Sequence, residues 1–279
     1  MLTDHSKVAI AQIVFYIPAI IAAAVLLFHR HGAPRMPWYI LQVFCLIRVA
    51  CAIIVILYEN SPTSVGLYIA ALILLNAGLL PLIAATIGLL RIIIHYDFKS
   101  NKSLRLPMSV SRILFVVGIA LVIAGGSLTG NYTDADSVRT GHTLTKAGYI
   151  VVAVFMACLV LFQGYFWRQY ASLSRASRTV LKGMALAVPF LIVRIAWLFL
   201  SIYHPGDDRW SNLGGAIGPF VVMTALMEYI VVCIYIGTGF LIPATRGVAR
   251  TATEQDQEAH EPAVEGSRQY GKLHSLERA

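Results

Sequence analysis

The chain has 279 residues, 58% of them hydrophobic and 13% charged, with a mean hydropathy of +0.72 and a formal net charge of +8. A water-soluble domain carries about 25% charged residues, and half that share cannot coat a solvent-facing surface of this size. A soluble enzyme, a nucleic-acid-binding module and a disordered chain are thereby excluded, which leaves an all-α polytopic membrane protein.

Seven long apolar runs follow one another, at 8–28, 38–58, 65–94, 110–129, 147–166, 183–203 and 216–242. A bilayer core takes about 20 apolar residues per helix. No run alternates as a barrel strand does. Backbone groups in lipid must be satisfied within the segment, so the runs are predicted as seven transmembrane helices. The first run follows Met1–Lys7 without a basic leader region and is long for a secretory signal, so it reads as a retained span. The third is long and contains Gly78 and Pro81, which predicts a kink or tilt.

Orientation follows from Lys and Arg. Sixteen of the 22 fall in the 29–37 loop, the 91–112 segment, the 167–182 loop and the stretch after the last run, against four on the opposite side. The basic side is cytoplasmic, which puts the N-terminus lumenal or extracellular and the C-terminus inside. The glycosylation sequon Asn131-Tyr132-Thr133 then falls in a lumenal loop, consistent with this orientation, while Asn101-Lys102-Ser103 falls on the cytoplasmic side. The basic rim accounts for the net charge and favours anionic membrane lipid; no nucleic acid need be invoked.

Cys45, Cys51, Cys158 and Cys233 all lie in spans, where they read as small apolar fillers rather than disulfide partners. The domain organisation is a seven-helix transmembrane domain over 1–243 and a polar, mixed-charge segment over 244–279 that reads as a disordered cytoplasmic tail. A weak internal repeat is visible. Leu46-Ile47-Arg48-Val49-Ala50 resembles Ile192-Val193-Arg194-Ile195-Ala196, Tyr58 and Tyr203 follow at nearly equal distance, and Pro81 and Pro219 interrupt the next spans. This pattern describes a parallel three-plus-one-plus-three arrangement.

The most informative residues are charges at mid-depth. Arg48 lies ten residues beyond the start of the second span, Arg194 eleven beyond that of the sixth, and Glu228 near the middle of the seventh. At 1.5 Å per residue each sits roughly 15 Å from either surface. Asn76, eleven residues into the third span, falls in the same layer. A charge at that depth costs about 2.5–3.5 kcal/mol on insertion scales and faces a bundle interior or a wet cavity. Glu228 is expected to pair with Arg194, leaving Arg48 to find a carbonyl, a tyrosine or an anionic group on a ligand. One reading is structural: an ion pair that fixes helix packing, with Arg48 satisfied by carbonyls and Asn76. The other is a polar pocket in apolar walls, the usual form of a small-molecule site. Desolvation and a neighbouring guanidinium act on the Glu228 proton in opposite senses. Where desolvation prevails, Glu228 is a proton donor suited to general acid catalysis.

Several chemistries are excluded by what the motifs lack. No lysine lies between Lys182 and Lys272 to hold a retinal Schiff base. The third span ends Leu90-Arg91-Ile92-Ile93-Ile94-His95-Tyr96 and the seventh holds Tyr235-Ile236-Gly237-Thr238, so the common receptor signatures are missing. None of the eight histidines lies inside a span, and no His box or metal-ligand cluster is seen. Asp134-x-Asp136 and Asp207-Asp208 do not form the paired acidic motifs that hold magnesium pyrophosphate, and there is no Walker loop. No cofactor is called for.

With the spans laid out, the chain resembles an uncharacterised family of fungal seven-span integral membrane proteins. The matching stretches are Ala11-Gln12-Ile13-Val14-Phe15-Tyr16, His29-Arg30-His31-Gly32, Leu46-Ile47-Arg48, Gly78-Leu79-Leu80-Pro81-Leu82, Pro189-Phe190-Leu191-Ile192-Val193-Arg194 and Met227-Glu228-Tyr229, spread over roughly residues 8–242. The resemblance implies a fold and a fungal origin, and no settled activity. More distantly the chain looks like fungal lipid-translocating exporters of the aminocholesterol-resistance type, through its Arg-containing sixth and Glu-containing seventh spans. Fungal membrane-bound terpene cyclases, which protonate an epoxide with a buried carboxylic acid, are similar in architecture only.

Three functions are therefore expected in turn. The first is a membrane-embedded enzyme of secondary metabolism that opens an epoxide or cyclises a lipophilic terpenoid or polyketide. Glu228 would donate the proton, Arg194 would tune it, and Arg48 would hold an oxyanion. Gln12, Asn76 and Tyr229 would orient the substrate, and apolar walls would exclude water. The second is a lipid or small-molecule exporter; the third is a receptor or sensor. The membrane is that of the endoplasmic reticulum or the plasma membrane.

Overall fold

The computed structural model describes residues 4–29, 35–61, 64–98, 105–129, 135–204 and 217–242. All described regular structure is helical. The helices are α1 (Asp4–His29), α2 (Met36–Asn60), α3 (Val65–Ala77), α4 (Leu79–Asp97), α5 (Arg105–Thr129), α6 (Ala135–Arg168), α7 (Arg175–Tyr203), α8 (Ile217–Phe220) and α9 (Met227–Leu241). A π-helical stretch, Val221–Leu226, joins α8 to α9. Gly78 alone separates α3 from α4, so the nine segments group into seven rods. By contacts, Met1–His29 and Pro34–Ile242 form one unit; the second, Arg30–Ala33 and Pro243–Ala279, lies outside the described residues. So do both sequons, including Asn131, together with His31, Asp134, Asp207-Asp208 and the segment 244–279 expected to be disordered.

Six of the rods are long and apolar enough to cross a membrane: His5–Phe28, Met36–Asn60, Gly66–Asp97, Asp136–Arg168, Arg175–Tyr203 and Ile217–Leu241. They fit a multi-pass membrane protein. The remaining rod, α5, contributes an apolar stretch Ile113–Thr129 among the described residues. The outer face of α1 shows why water is the wrong solvent. Ile10, Val14, Ile17, Ile21, Val25 and Phe28 form one exposed apolar stripe at helical spacing, a surface that soluble proteins avoid.

Helix α4 is the centre of the packing. Twelve of its 19 residues are buried, from Leu79 to Ile93, which is the pattern of a helix apolar on all sides. It lies against α2 and α7, while α1 packs on α2 and α9 packs on α7. At one end Asp97, closing α4, accepts from the N–H and hydroxyl of Ser174 at 3.2 Å each. The Ser174 hydroxyl in turn accepts from the Ser177 N–H at 3.3 Å and caps the start of α7. The neighbouring turn is held by Arg178, which donates to the carbonyls of Leu173 and Ala171 at 2.8 and 2.6 Å. In the α1–α2 hairpin, Ser6 donates to Glu59.

The α5–α6 hairpin is built on glycine. Gly118 and Gly125 on α5, and Gly141 and Gly148 on α6, are each seven residues apart and so share a face after two turns. A Cβ at Gly125 would lie 2.8 Å from the Gly141 carbonyl oxygen, and one at Gly141 would lie 2.8 Å from that of Gly125. The two backbones therefore touch, as small residues allow between helices in lipid.

Three expectations are adjusted by these coordinates. The long third run is one span interrupted at Gly78, whose backbone stays helical and whose N–H still bonds the Leu74 carbonyl; the irregularity lies beside Pro81, which has no N–H to give the carbonyl four residues back. The cysteines are all free, as expected, but only Cys45 and Cys51 fill the core; Cys158 is half-buried and Cys233 is exposed on the outer side. Of the pattern suggestive of a repeat, one element is visible in the fold: the Arg-bearing helices α2 and α7 are each followed by an interrupted rod.

Candidate functional site

Helical spacing carries the three charges into the core. On α2 the buried residues run from Pro37 and Trp38 through Leu41, Phe44, Cys45, Arg48, Cys51 and Ala52 to Val55, so Arg48 occupies the middle of an apolar stripe. On α7 Arg194 lies between Leu191 and Trp197 on the buried face that begins at Ser177. On the last rod the buried positions Phe220, Thr224 and Glu228 are spaced by four. Positions four apart share one face of a helix, and the π stretch Val221–Leu226 lies within this series. Such insertions in helices cluster at functional sites.

Arg48, Arg194 and Glu228 are each 1% exposed, and they meet. The Nε of Arg194 donates to Glu228 Oε1 at 2.6 Å, and the Nη2 of Arg48 pairs with Glu228 Oε2. The carboxylate thus bridges two guanidinium groups, one to each oxygen. The expected Arg194–Glu228 pair is present, but Arg48 is not left over: it shares the same acid. The reason is the interruption in the third rod. Arg194 Nη2 donates to the Leu75 carbonyl at 3.2 Å, an oxygen near the end of α3. A Cβ at Gly78 would lie 2.8 Å from Arg48 Cζ and Nη2, so the absence of a side chain there is what lets the guanidinium in. Both cations thus approach the third rod at its interruption.

The cluster carries a formal charge of +1, from two guanidinium groups and one carboxylate. Around it are Tyr16 from α1, in electrostatic range of Arg48 and Glu228, and Tyr149 from α6, in range of Arg194. The Cys51 thiol lies beside Arg48, and the guanidinium stands 5.7 Å from the centre of the Phe44 ring. Several buried polar atoms in this layer have no conventional hydrogen-bond partner among the described residues: Arg48 Nε and Nη1, Arg194 Nη1, and the hydroxyls of Tyr16, Tyr149 and Thr224.

Of the residues expected to orient a substrate, Gln12 and Tyr229 lie at the edge of the charge cluster. Gln12 lines a small cleft with His5, Val8, Ala9, Val55, Leu75 and Phe220, which reaches the charge layer only through Leu75. Tyr229 packs on the rings of Phe15 and Tyr16 at 5.4 and 5.8 Å, one residue off the Glu228 face. Asn76 belongs to α3, but its side chain lies outside the described residues. Sequence reasoning did not find Gly78, Leu75, Thr224, Tyr16 or Tyr149. The glycine and proline of the third run were visible as a kink, but their consequence for Arg48 depends on how α2 and α3 pack. Among the described residues no three His, Cys, Asp or Glu side chains come together.

Fold and site together define an all-α protein, fit for several membrane crossings, with a buried Arg–Glu–Arg bridge at an interrupted helix. The chain belongs to the family described as Domain of unknown function (DUF7702), which matches residues 2–245. Comparison with curated proteins and with solved structures returned no match.

Proposed function

We propose that the chain is a seven-span membrane protein, α5 included, with its N-terminus outside, its C-terminus cytoplasmic and Asn131 open to glycosylation, and that it moves a lipophilic small molecule or lipid through the bilayer. One observation carries this reading: the Arg48–Glu228–Arg194 bridge lies where one span is locally irregular at Gly78 and beside a π turn in another. Discontinuous helices with ion-paired side chains near the midplane are how secondary transporters build substrate sites. The parallel arrangement of α2 with its interrupted successor and α7 with its own supports the same reading. To test it, the protein is reconstituted in vesicles holding a fluorescent phospholipid and, separately, a fluorescent neutral terpenoid. Transbilayer movement faster than in protein-free vesicles, and slowed in Glu228→Gln, is expected. Equal rates in all three would remove the reading.

A second reading rests on the acid itself. Glu228 is buried with Tyr16, Phe44 and Trp197 in the surrounding core, and a carboxylic acid among aromatic walls suits epoxide opening or cyclisation of a terpenoid or polyketide in fungal secondary metabolism. It requires Glu228 to release one guanidinium and take up a proton. Microsomes of the endoplasmic reticulum or plasma membrane fed a lipophilic epoxide would convert it with the wild-type protein and not with Glu228→Gln.

A further inference from the structure

Resting on the first of these readings, we propose that the layer of Arg48, Arg194 and Thr224 binds the carboxylate of a lipophilic acid. Charge comes first. Two guanidinium groups face one carboxylate at full burial, and an excess cation at mid-depth is costly. The Leu75 carbonyl offsets part of it by accepting from Arg194. A monoanion would bring the layer to neutrality, which water cannot do.

Hydrogen bonding points the same way. Buried polar groups are partnered in all but a few cases, yet here the orphans gather in one layer. Arg48 Nε and Nη1, Arg194 Nη1 and the Thr224 hydroxyl are all donors without an acceptor among the described residues. A carboxylate has two acceptor oxygens and matches the fork of a guanidinium. Thr224 stands one turn before Glu228 on the π stretch, 1% exposed, its hydroxyl without a partner among the described residues.

Depth and walls set the rest of the ligand. The layer lies roughly 15 Å from either surface by helix rise, too deep for a phospholipid headgroup that stays at the interface. The neighbouring walls are apolar and aromatic, with Trp197 and Phe220 stacked edge to face at 6.4 Å. A narrow cleft lined by Val8, Gln12, Val55 and Phe220 shares Leu75 with the layer; it is too small for an alkyl chain, so the tail would lie between the helices toward lipid. A single-tailed lipophilic acid supplies both the charge and the acceptors; a neutral lipid supplies acceptors without the charge, and a lipophilic cation opposes the charge.

The experiment uses the full chain in phosphatidylcholine nanodiscs and radiolabelled decanoate as the probe. Saturable binding above that of empty nanodiscs is expected, displaced by unlabelled decanoate at least tenfold more effectively than by decanol or decylamine. Thr224→Val leaves the ion pairs intact and should weaken binding at least threefold. Arg48→Lys keeps the charge but removes two of the orphan donors and should weaken it about tenfold. Binding no greater than to empty nanodiscs, equal displacement by all three amphiphiles, full displacement by chloride alone, or unchanged affinity in Thr224→Val would overturn the proposal; the competitor series and Thr224→Val decide even where Arg48→Lys fails to fold. Saturable decanoate binding without transbilayer movement of any probe would remove the translocation reading and leave the site. Movement of a neutral terpenoid without decanoate binding would do the reverse.

Discussion

Replacing Glu228 by Gln tests the charge layer directly. The substitution preserves volume and removes the one negative charge that Arg48 and Arg194 share. The formal charge of the layer rises from +1 to +2, and both guanidinium groups lose their anionic partner while 1% exposed. Removing one member of a buried pair costs about 3–5 kcal/mol, because the remaining charge stays buried without compensation. For a domain of this size each kcal/mol moves the melting temperature by about 2–4 °C, so a fall of about 6–20 °C is expected. The complementary variant replaces Arg48, Arg194 and Glu228 together by Met. Apolar side chains of similar volume restore a dry core, and stability should return to about that of the wild type, while any ligand function is lost. The assay is thermal unfolding of purified protein in detergent, followed by tryptophan fluorescence. A Glu228→Gln variant melting within about 2 °C of wild type would refute the argument that this carboxylate neutralises both cations.

Four further substitutions probe the site and the packing around it. Gly78→Ala places a Cβ 2.8 Å from the Arg48 guanidinium and should cost about 1–3 kcal/mol by overpacking, read as a lower melting temperature. Gly141→Ala drives a methyl into the α5 backbone, with contacts at 2.7 and 2.8 Å, and should destabilise by a similar amount, whereas Gly164→Ala on the same helix meets nothing within 4 Å. Gly164→Ala should be neutral or stabilise by about 0.5–1 kcal/mol through helix propensity, so equal losses at the two glycines would contradict the close α5–α6 packing. Ser174→Ala removes the cap of α7 and the hydroxyl contact to Asp97. It should cost about 0.5–2 kcal/mol, with faster amide exchange confined to the first turn of α7.

Much of this architecture is written in the sequence because the solvent writes it. A run of about 20 apolar residues has one stable form in hydrocarbon, and six of the seven rods follow from that alone. Mid-depth charge is legible for the same reason. Arg48, Arg194 and Glu228 are costly wherever lipid surrounds them, so their height along the helix already places them in one layer facing inward. What spacing cannot supply is azimuth. Whether Glu228 serves one arginine or two depends on where α2 and α7 stand around α9. That was settled by the room at Gly78 for the Arg48 guanidinium, by the Leu75 carbonyl that takes Arg194, and by the pairing of both arginines with Glu228. The glycine contact of α5 with α6 is similar: the seven-residue spacing is visible on each strand of text, but the match between them exists only once the two backbones touch. Height in the membrane is a property of one helix and its solvent, and so belongs to the sequence. Partnership is a property of several helices at once, and only their packing decides it.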